Sequence, residues 1–150
     1  NFIRGWPARL RHAGMVRYPL PRGRGIFTYP ENAADLAALA DLVGRAGSQD
    51  QPILDLSGER ALYYLLDRRP AVRCPDVSML SAPPLMREAL AQLDAHPPSV
   101  VILHGTKGLD EFDGVPNRVR IPEIMAWADA HYPVHMQVGR YDVALQIAPP

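Results

Sequence analysis

The stretch from Pro52 to Arg69 constrains the fold of this chain more than any other part of the sequence. It opens with a short, mainly apolar run, ILDL, of the kind found in a strand that is buried on both faces. Ser57 and Gly58 interrupt this run, and serine commonly caps a helix. Leucines at positions 62, 65 and 66 then recur at helical spacing. We therefore predict a strand, a tight turn and a helix, which form one βα unit of a layered α/β domain.

A second apolar run, Ser99 to His104, has the same character as the first. Near the C-terminus, apolar residues alternate on both sides of Gly139-Arg140, which suits a two-residue hairpin turn with glycine first. These patterns predict a three-layer α/β domain of Rossmann or flavodoxin-like type, with a mainly parallel sheet of about 4–5 strands. Its central strands would be residues 52–56 and 99–103, and a C-terminal antiparallel hairpin would close the sheet.

The other elements are predicted from apolar residues at the spacing of a helix or a strand, and from the residues that begin or end helices. Of the adjacent Tyr63 and Tyr64 on the central helix, one is expected to face the sheet. Further helices are expected from Asn32 to Gly47, after Ser81 and from Pro122, and short strands at residues 25–29 and 77–80.

The charge of the chain is unevenly distributed, although its formal net charge is zero. Residues 1–30 carry six arginines and no acid, whereas the remainder carries ten basic and sixteen acidic residues. Because residues 1–25 are also rich in proline and glycine, we interpret them as a basic linker or extended arm, and residues 26–150 as a single α/β domain. The alternative is a solvated terminus. If the arm touches an anionic surface, the contacts are expected from Arg9, Arg11, Arg17, Arg22 and Arg24.

Three polar residues follow the first predicted strand, in the turn DLSGE. Ligands of open α/β sheets bind beyond the carboxyl ends of the strands, so Asp55, Ser57 and Glu59 are candidate ligand-binding residues. The turn has a single glycine and matches neither the dinucleotide-binding nor the Walker pattern. The alternative interpretation is a capped, solvated turn.

The loop after the second strand supplies the other candidates. His104 and Lys107 could meet a phosphate, while Asp110, Glu111 and Asp113 have the chemistry of ligands for a hard cation. The acids lack the regular spacing of a calcium loop, so we expect no metal and no cofactor. An ordinary structural turn remains the alternative. Asn117 and Arg118 complete this set of candidate ligand-binding residues.

No catalytic residue is expected in this chain. The single cysteine, Cys74, has no CxxC partner, and it excludes an internal disulfide. His131 and His135 have the spacing of metal ligands on one helix, but Pro133 between them would break that helix. No run of about twenty apolar residues is present, so we expect no membrane span in the chain. We also expect no nucleic-acid partner.

Four stretches carry a family resemblance that covers most of residues 20–147. They are LPRGRGI at 20–26, ILDLS at 53–57 with ALYYLL at 61–66, PSVVI at 98–102, and FDGVPN at 112–117. In the order of its segments, the chain resembles the C-terminal domain of bacterial polytopic membrane glycosyltransferases of the GT-C type. Its relatives look like the dolichyl-phosphate-mannose protein mannosyltransferase group.

The resemblance implies an accessory domain that is not catalytic by itself. In that family the membrane portion transfers a sugar from a polyprenyl-phosphate carrier, and nothing in this chain matches that portion. The implied partners are the membrane portion of the same polypeptide and an anionic lipid or the polyprenyl-phosphate carrier. The implied location is the extracytoplasmic face, with attachment through a preceding region. The alternatives are a free-standing small-molecule binding module of flavodoxin-like shape and a structural or protein-interaction domain.

Overall fold

The fold is described by a computed structural model over residues 14–59, 61–104, 111–112 and 114–146. Within these residues, no helix is long and apolar enough to cross a membrane. The strands are β1 (Val16–Arg17), β2 (Phe27–Thr28), β3 (Leu54–Asp55), β4 (Val100–His104), β5 (Glu111–Phe112), β6 (Val115–Pro116), β7 (Val134–Val138) and β8 (Tyr141–Leu145). The helices are α1 (Pro30–Ala46), α2 (Leu62–Leu65), α3 (Val77–Leu80), α4 (Pro83–Ala95), α5 (Asn117–Arg120) and α6 (Pro122–His131), and a 3₁₀ turn spans Pro21–Gly23.

The main sheet is mixed, with four strands in the order β3-β4-β8-β7. Only β3 and β4 are parallel, whereas β8 is antiparallel to both β4 and β7. The predicted three-layer, mainly parallel sheet of Rossmann or flavodoxin-like type is therefore wrong. The C-terminal hairpin is present as predicted, with β8 beside β4 and β7 at the edge of the sheet. Two further sheets, β1-β2 and β5-β6, are two-stranded and antiparallel.

Strand β4 has the interior position that the sequence predicts, and β3 does not. β4 is flanked by β3 and β8, and its first four residues are buried. β3 is a two-residue strand at the end of the sheet, where the only further pairing in the described part of the chain is a parallel bridge between Ile53 and Pro70. Both runs are apolar because helices cover both faces of the sheet, so hydrophobicity alone could not separate an interior strand from a covered edge.

Three predicted helices are present, and proline begins each of them. α1, α4 and α6 have Pro30, Pro83 and Pro122 at their starts, where the missing N–H of proline costs no helical hydrogen bond. α1 ends at Ala46, directly before the predicted stop at Gly47. Its N-cap is Tyr29, so α1 begins two residues before the predicted start at Asn32, which lies inside the first turn.

Two segments differ from their predicted structure. The central helix α2 has only four residues, because Asp67 adopts a positive φ of 53° soon after it and turns the chain. Residues 77–80 form the short helix α3 instead of a strand. Asp76 caps α3, since its carboxylate accepts a hydrogen bond from the backbone N–H of Ser78 at 3.0 Å.

The core consists of two clusters of buried residues, one on each face of the sheet. One joins α1 and α2 to β4 and β8, with Leu39 and Ile102 fully buried in it. The other joins α3, α4 and α6 to the opposite face, around Leu93 and Val101. The described part of the N-terminal region also contributes, because Tyr18 packs against the α1 cluster.

Arg68 connects the end of α1 to the segment that follows α2. Its side chain is buried, and its guanidinium donates hydrogen bonds to the carbonyls of Val43 and Gly47, each at 3.2 Å, and to that of Ser48. These carbonyls lie at the C-terminal end of the helix, where the backbone has no helical partners and the helix dipole is negative. The arginine therefore satisfies this end of α1 both by hydrogen bonding and by charge.

Candidate functional site

A group of polar residues gathers at one edge of the main sheet. β3 and β4 are parallel, so their carboxyl ends, at Asp55 and His104, meet at the same edge. β8 starts at this edge, because Tyr141 pairs with His104. We call the group the strand-end cluster, and it comprises Asp55, Ser57, Glu59, His104, Arg140 and Tyr141.

Glu59 is the centre of the strand-end cluster. The Nη2 atom of Arg140 lies 3.1 Å from both of its carboxylate oxygens. The hydroxyl of Tyr141 donates a hydrogen bond to the same carboxylate at 2.9 Å, and Nε2 of His104 lies 3.8 Å from it. Burial is the main cause that raises the pKa of Tyr141, and the nearby Glu59 carboxylate adds to it. The carboxylate is thus held by a cation and a hydroxyl.

Helix α1 positions Arg140. The carboxylate of Asp35 accepts the backbone N–H of Arg140 at 3.2 Å, and the side-chain oxygen of Asn32 accepts from its guanidinium at 2.8 Å. Gly139, the first residue of the hairpin turn, has a positive φ of 56° and lies against the Asp35 side chain, so a Cβ atom would not fit there. The hairpin turn therefore needs glycine at this position to bring Arg140 to the cluster.

Asp55 is the buried acid of the cluster, with only 3% of its surface exposed. Its Oδ1 atom accepts hydrogen bonds from the backbone N–H of Ser57 at 2.8 Å and from the Ser57 hydroxyl at 2.6 Å. Burial raises the pKa of Asp55 to about 6; the Ser57 hydrogen bonds oppose this rise, and the charge of Glu59 adds to it. Asp55 therefore closes the turn after β3 and is poorly placed to touch a solute.

Tyr63 lies beneath the turn. Its hydroxyl accepts a hydrogen bond from the backbone N–H of Asp55 at 2.9 Å, and burial raises its pKa above the ordinary value. Tyr64, its neighbour, is exposed and lies under the guanidinium of Arg22, 5.3 Å from the ring centre. The prediction that one of the two tyrosines faces the sheet is confirmed, and it is Tyr63.

Besides His104, two residues of the predicted loop set are described, and they lie in different places. Asn117 is buried and donates a hydrogen bond to the carbonyl of Leu56 at 2.6 Å, so it borders the cluster and anchors the end of β3. Arg118 is exposed and forms an ion pair with Asp129 of α6 at 2.7 Å, away from the cluster. Lys107, Asp110 and Asp113 lie outside the described residues.

The arginines predicted to meet lipid phosphate also differ in their surroundings. Arg9 and Arg11 lie outside the described residues. Arg17 and Arg24 are exposed. Arg22 forms an ion pair with Asp67 as well as its contact with Tyr64, so it is already engaged on the surface of the domain.

The described residues contain no group of three or more histidine, cysteine or acidic side chains that could hold a metal ion. His131 is stacked on Trp127 with ring centres 4.7 Å apart, and His135 contacts Asp142 at 2.9 Å. Cys74 is half-buried, with its sulfur 3.8 Å from that of Met79. Each of these side chains therefore has a structural contact of its own.

A groove of about 580 Å³ lies at the opposite end of β3, beside Pro52. Arg69 and Arg73 line it, but Arg73 is held by Glu88 at 2.5 Å, and the end of α4 adds its negative dipole at His96. Arg69 donates only to the carbonyl of Asp50 among the described residues, so the groove offers one arginine without an acid partner. More polar side chains converge in the strand-end cluster, which we therefore take as the candidate site.

Four members of the strand-end cluster were candidates from the sequence, namely Asp55, Ser57, Glu59 and His104, whereas Arg140 and Tyr141 were not. The hairpin turn was the available signal for these two residues. A strand that runs antiparallel to β4 has its first residues at the carboxyl end of β4, where the other candidates lie. Asn32 was predicted only as the start of a helix, although its side chain and that of Asp35 hold the arginine.

The comparisons with known proteins give no relative for this chain. No family model, no curated protein and no solved structure matches it.

Proposed function

We propose that this chain is an accessory domain of a bacterial membrane glycosyltransferase that uses a polyprenyl-phosphate sugar donor, and that it is not catalytic by itself. Its partner is the membrane portion of the same polypeptide, and its place is the extracytoplasmic surface of the membrane. The four stretches that resemble the GT-C type group support this proposal. The arginine-rich N-terminal region supports one part of it, the contact with an anionic membrane surface.

The geometry of Glu59 is the observation that carries the non-catalytic part of the proposal. A general base needs a carboxylate that is free to approach a proton of the substrate. Glu59 instead has both oxygens within 3.1 Å of Arg140 and one hydrogen-bonded to Tyr141. Asp55, whose pKa is raised, is buried and holds Ser57. Both acids of the cluster are thus engaged in contacts within the protein, and neither is free to act as a general base.

The exposed arginines of the N-terminal region supply the contact with the membrane surface. Basic residues near an anionic surface each contribute about 1 kcal/mol, and this contribution falls with salt. Arg17 and Arg24 are exposed, and their side chains form no ion pair with an acid of the described part of the chain. A lipid headgroup phosphate and the phosphate of the polyprenyl carrier offer the same chemistry to these side chains.

Co-sedimentation with vesicles tests the membrane contact. Deletion of residues 1–24 would also remove β1 and the packing of Tyr18, so the cleaner variant replaces the arginines at 9, 11, 17, 22 and 24 with glutamine. We expect the wild-type chain to bind vesicles containing anionic lipid weakly and in a salt-sensitive manner, and the variant to lose this binding. Arg45→Gln, which removes a charge from α1, is the control. Equal binding by the wild type and the five-arginine variant at low salt would refute the contact.

A further inference from the structure

Strand β7 leaves one edge of the main sheet unpaired in the part of the chain that the structure describes. It pairs with β8 along all five residues, and no described strand pairs with its other side. Four of its five residues are exposed, including Val134 and Met136, which are 38% and 42% exposed. β7 is therefore a full-length strand with an outer row of backbone groups available for pairing.

The hairpin register identifies these outer groups. Val138 and Tyr141 flank the two-residue turn, and in such hairpins this pair exchanges hydrogen bonds. Because hydrogen-bonded and non-hydrogen-bonded pairs alternate, Met136 also bonds to β8, while the N–H and C=O groups of His135 and Gln137 point away from it.

The edge lacks the features that usually prevent strands from pairing. Proteins protect an exposed edge with lysine, proline, a bulge or a charge that points inward. The sequence VHMQV has no lysine, arginine, acid or proline, and its register with β8 is continuous, without a bulge. The open edge is therefore compatible with another strand.

We propose that β7 pairs with β7 of a second copy of this chain, antiparallel and about a twofold axis through Met136. In this register, residue 135 of each copy faces residue 137 of the other, and these are the two residues with outward backbone groups. Val134, Met136 and Val138 lie on one face of the strand, and His135 and Gln137 lie on the other. The twofold axis thus sets apolar side chains beside apolar ones and polar beside polar, which makes the strand complementary to itself.

The pairing is a small interface. Two five-residue strands bury much less than the roughly 1,200–2,000 Å² of total surface typical of stable complexes. We therefore expect a weak dimer that forms as the concentration rises, or when copies are held close together on one surface. This inference stands independently of the proposed glycosyltransferase role.

Sedimentation velocity over a wide range of concentrations tests the inference with two variants at one position. Gln137→Pro removes an outward N–H that β8 does not use, and proline is tolerated at such edge positions. Gln137→Ala removes the same side chain, including its hydrogen bond to the carbonyl of Gly139 at 2.7 Å, but keeps the N–H. We expect the wild type and Gln137→Ala to dimerise and Gln137→Pro to remain monomeric.

A second variant protects the test against a folding defect in the proline protein. Met136→Lys places two like charges opposite each other on the twofold axis, and Met136→Gln is its uncharged control. We expect only the lysine variant to remain monomeric while keeping the wild-type melting temperature. A wild-type chain that stays monomeric at every concentration would overturn the inference. Slow hydrogen exchange at the His135 and Gln137 amides of the dilute monomer would also overturn it, because another part of the chain would then occupy the edge.

Discussion

Arg140 and Glu59 are 81 positions apart in the chain, and the guanidinium of the first lies 3.1 Å from the carboxylate of the second. Arg140 belongs to the turn of the C-terminal hairpin, and Glu59 belongs to the turn after β3. The pair therefore links the hairpin at one side of the sheet to the turn that follows the strand at the other side. Helix α1 joins through Asp35 and Asn32. The candidate site is therefore also a junction of three segments.

We expect Arg140→Gln to lower the free energy of unfolding by about 1–3 kcal/mol, because Glu59 loses a hydrogen bond to a charged group and keeps its charge in a partly buried place. Chemical denaturation measures the change. The control is Arg45→Gln, whose partner Asp41 is 68% exposed and whose loss should cost less than about 0.5 kcal/mol. Equal losses in the two variants would show that the cluster does not depend on the pair.

We expect Asp55→Asn to change the pH dependence of stability. The pKa of Asp55 is raised by burial to about 6 from an ordinary value of 3.8, so the folded chain binds this proton more tightly than the unfolded chain. The contribution of Asp55 to the free energy of unfolding of the wild type therefore falls as the pH rises from about 4 to about 6.

An asparagine at this position would stay neutral and could still accept the Ser57 hydrogen bonds, so the Asp55→Asn protein should gain about 1–3 kcal/mol over the wild type between pH 4 and pH 7. Denaturant titrations of both proteins at the two pH values measure this gain. A difference between the proteins that is the same at both pH values would contradict the raised pKa.

The elements that could be predicted from the sequence are those fixed by local chemistry. Proline at the start and apolar spacing predicted α1, α4 and α6, and Gly139 predicted the hairpin turn. The pairing of the strands could not be predicted from local sequence. The apolar sequence of Val100–His104 is compatible with either a parallel or an antiparallel second neighbour. The prediction of a mainly parallel sheet was wrong for that reason. Arg140 was missed because the position of β8 beside β4 was not predicted.

The apolar patterns also did not predict the type of the short element at residues 77–80. Residues 77–80 alternate weakly, as a strand would, yet Asp76 and Ser78 form a capped helical turn. The capping aspartate was the available signal, because Asp, Ser, Thr and Asn at such positions satisfy the free N–H groups of a helix start.

We expect Arg68→Met to lower the free energy of unfolding by about 2–4 kcal/mol, because the carbonyls at the end of α1 lose a buried, charged donor. The neighbouring Arg69→Met is the control. Arg69 is exposed and donates only to the carbonyl of Asp50 among the described residues, so its replacement should cost less than about 1 kcal/mol. Thermal and chemical unfolding of the two variants measure the difference. Similar losses of stability in both variants would contradict the claim that Arg68 stabilises the end of α1.

Among the described arginines of the N-terminal region, we expect unequal effects on binding to anionic vesicles. Replacement of both Arg17 and Arg24 with glutamine should weaken binding by about tenfold or more, at about 1 kcal/mol per residue. Arg22→Gln should weaken it less, because Arg22 is already paired with Asp67 and lies over Tyr64. Flotation assays at low salt measure the binding. A larger effect of Arg22→Gln than of the double replacement would contradict the claim that Arg17 and Arg24 make the main contacts.

The most direct test of the accessory role measures binding and transfer in one experiment. The chain is incubated with vesicles that carry a polyprenyl-phosphate sugar and with candidate acceptors, and bound protein and product are then quantified after sedimentation. We predict bound protein that is released by salt, and no product, because the acids of the strand-end cluster are engaged by Arg140, Tyr141 and Ser57. Product that forms with the chain alone and disappears in Asp55→Ala or His104→Ala would contradict the accessory role and make this domain an enzyme.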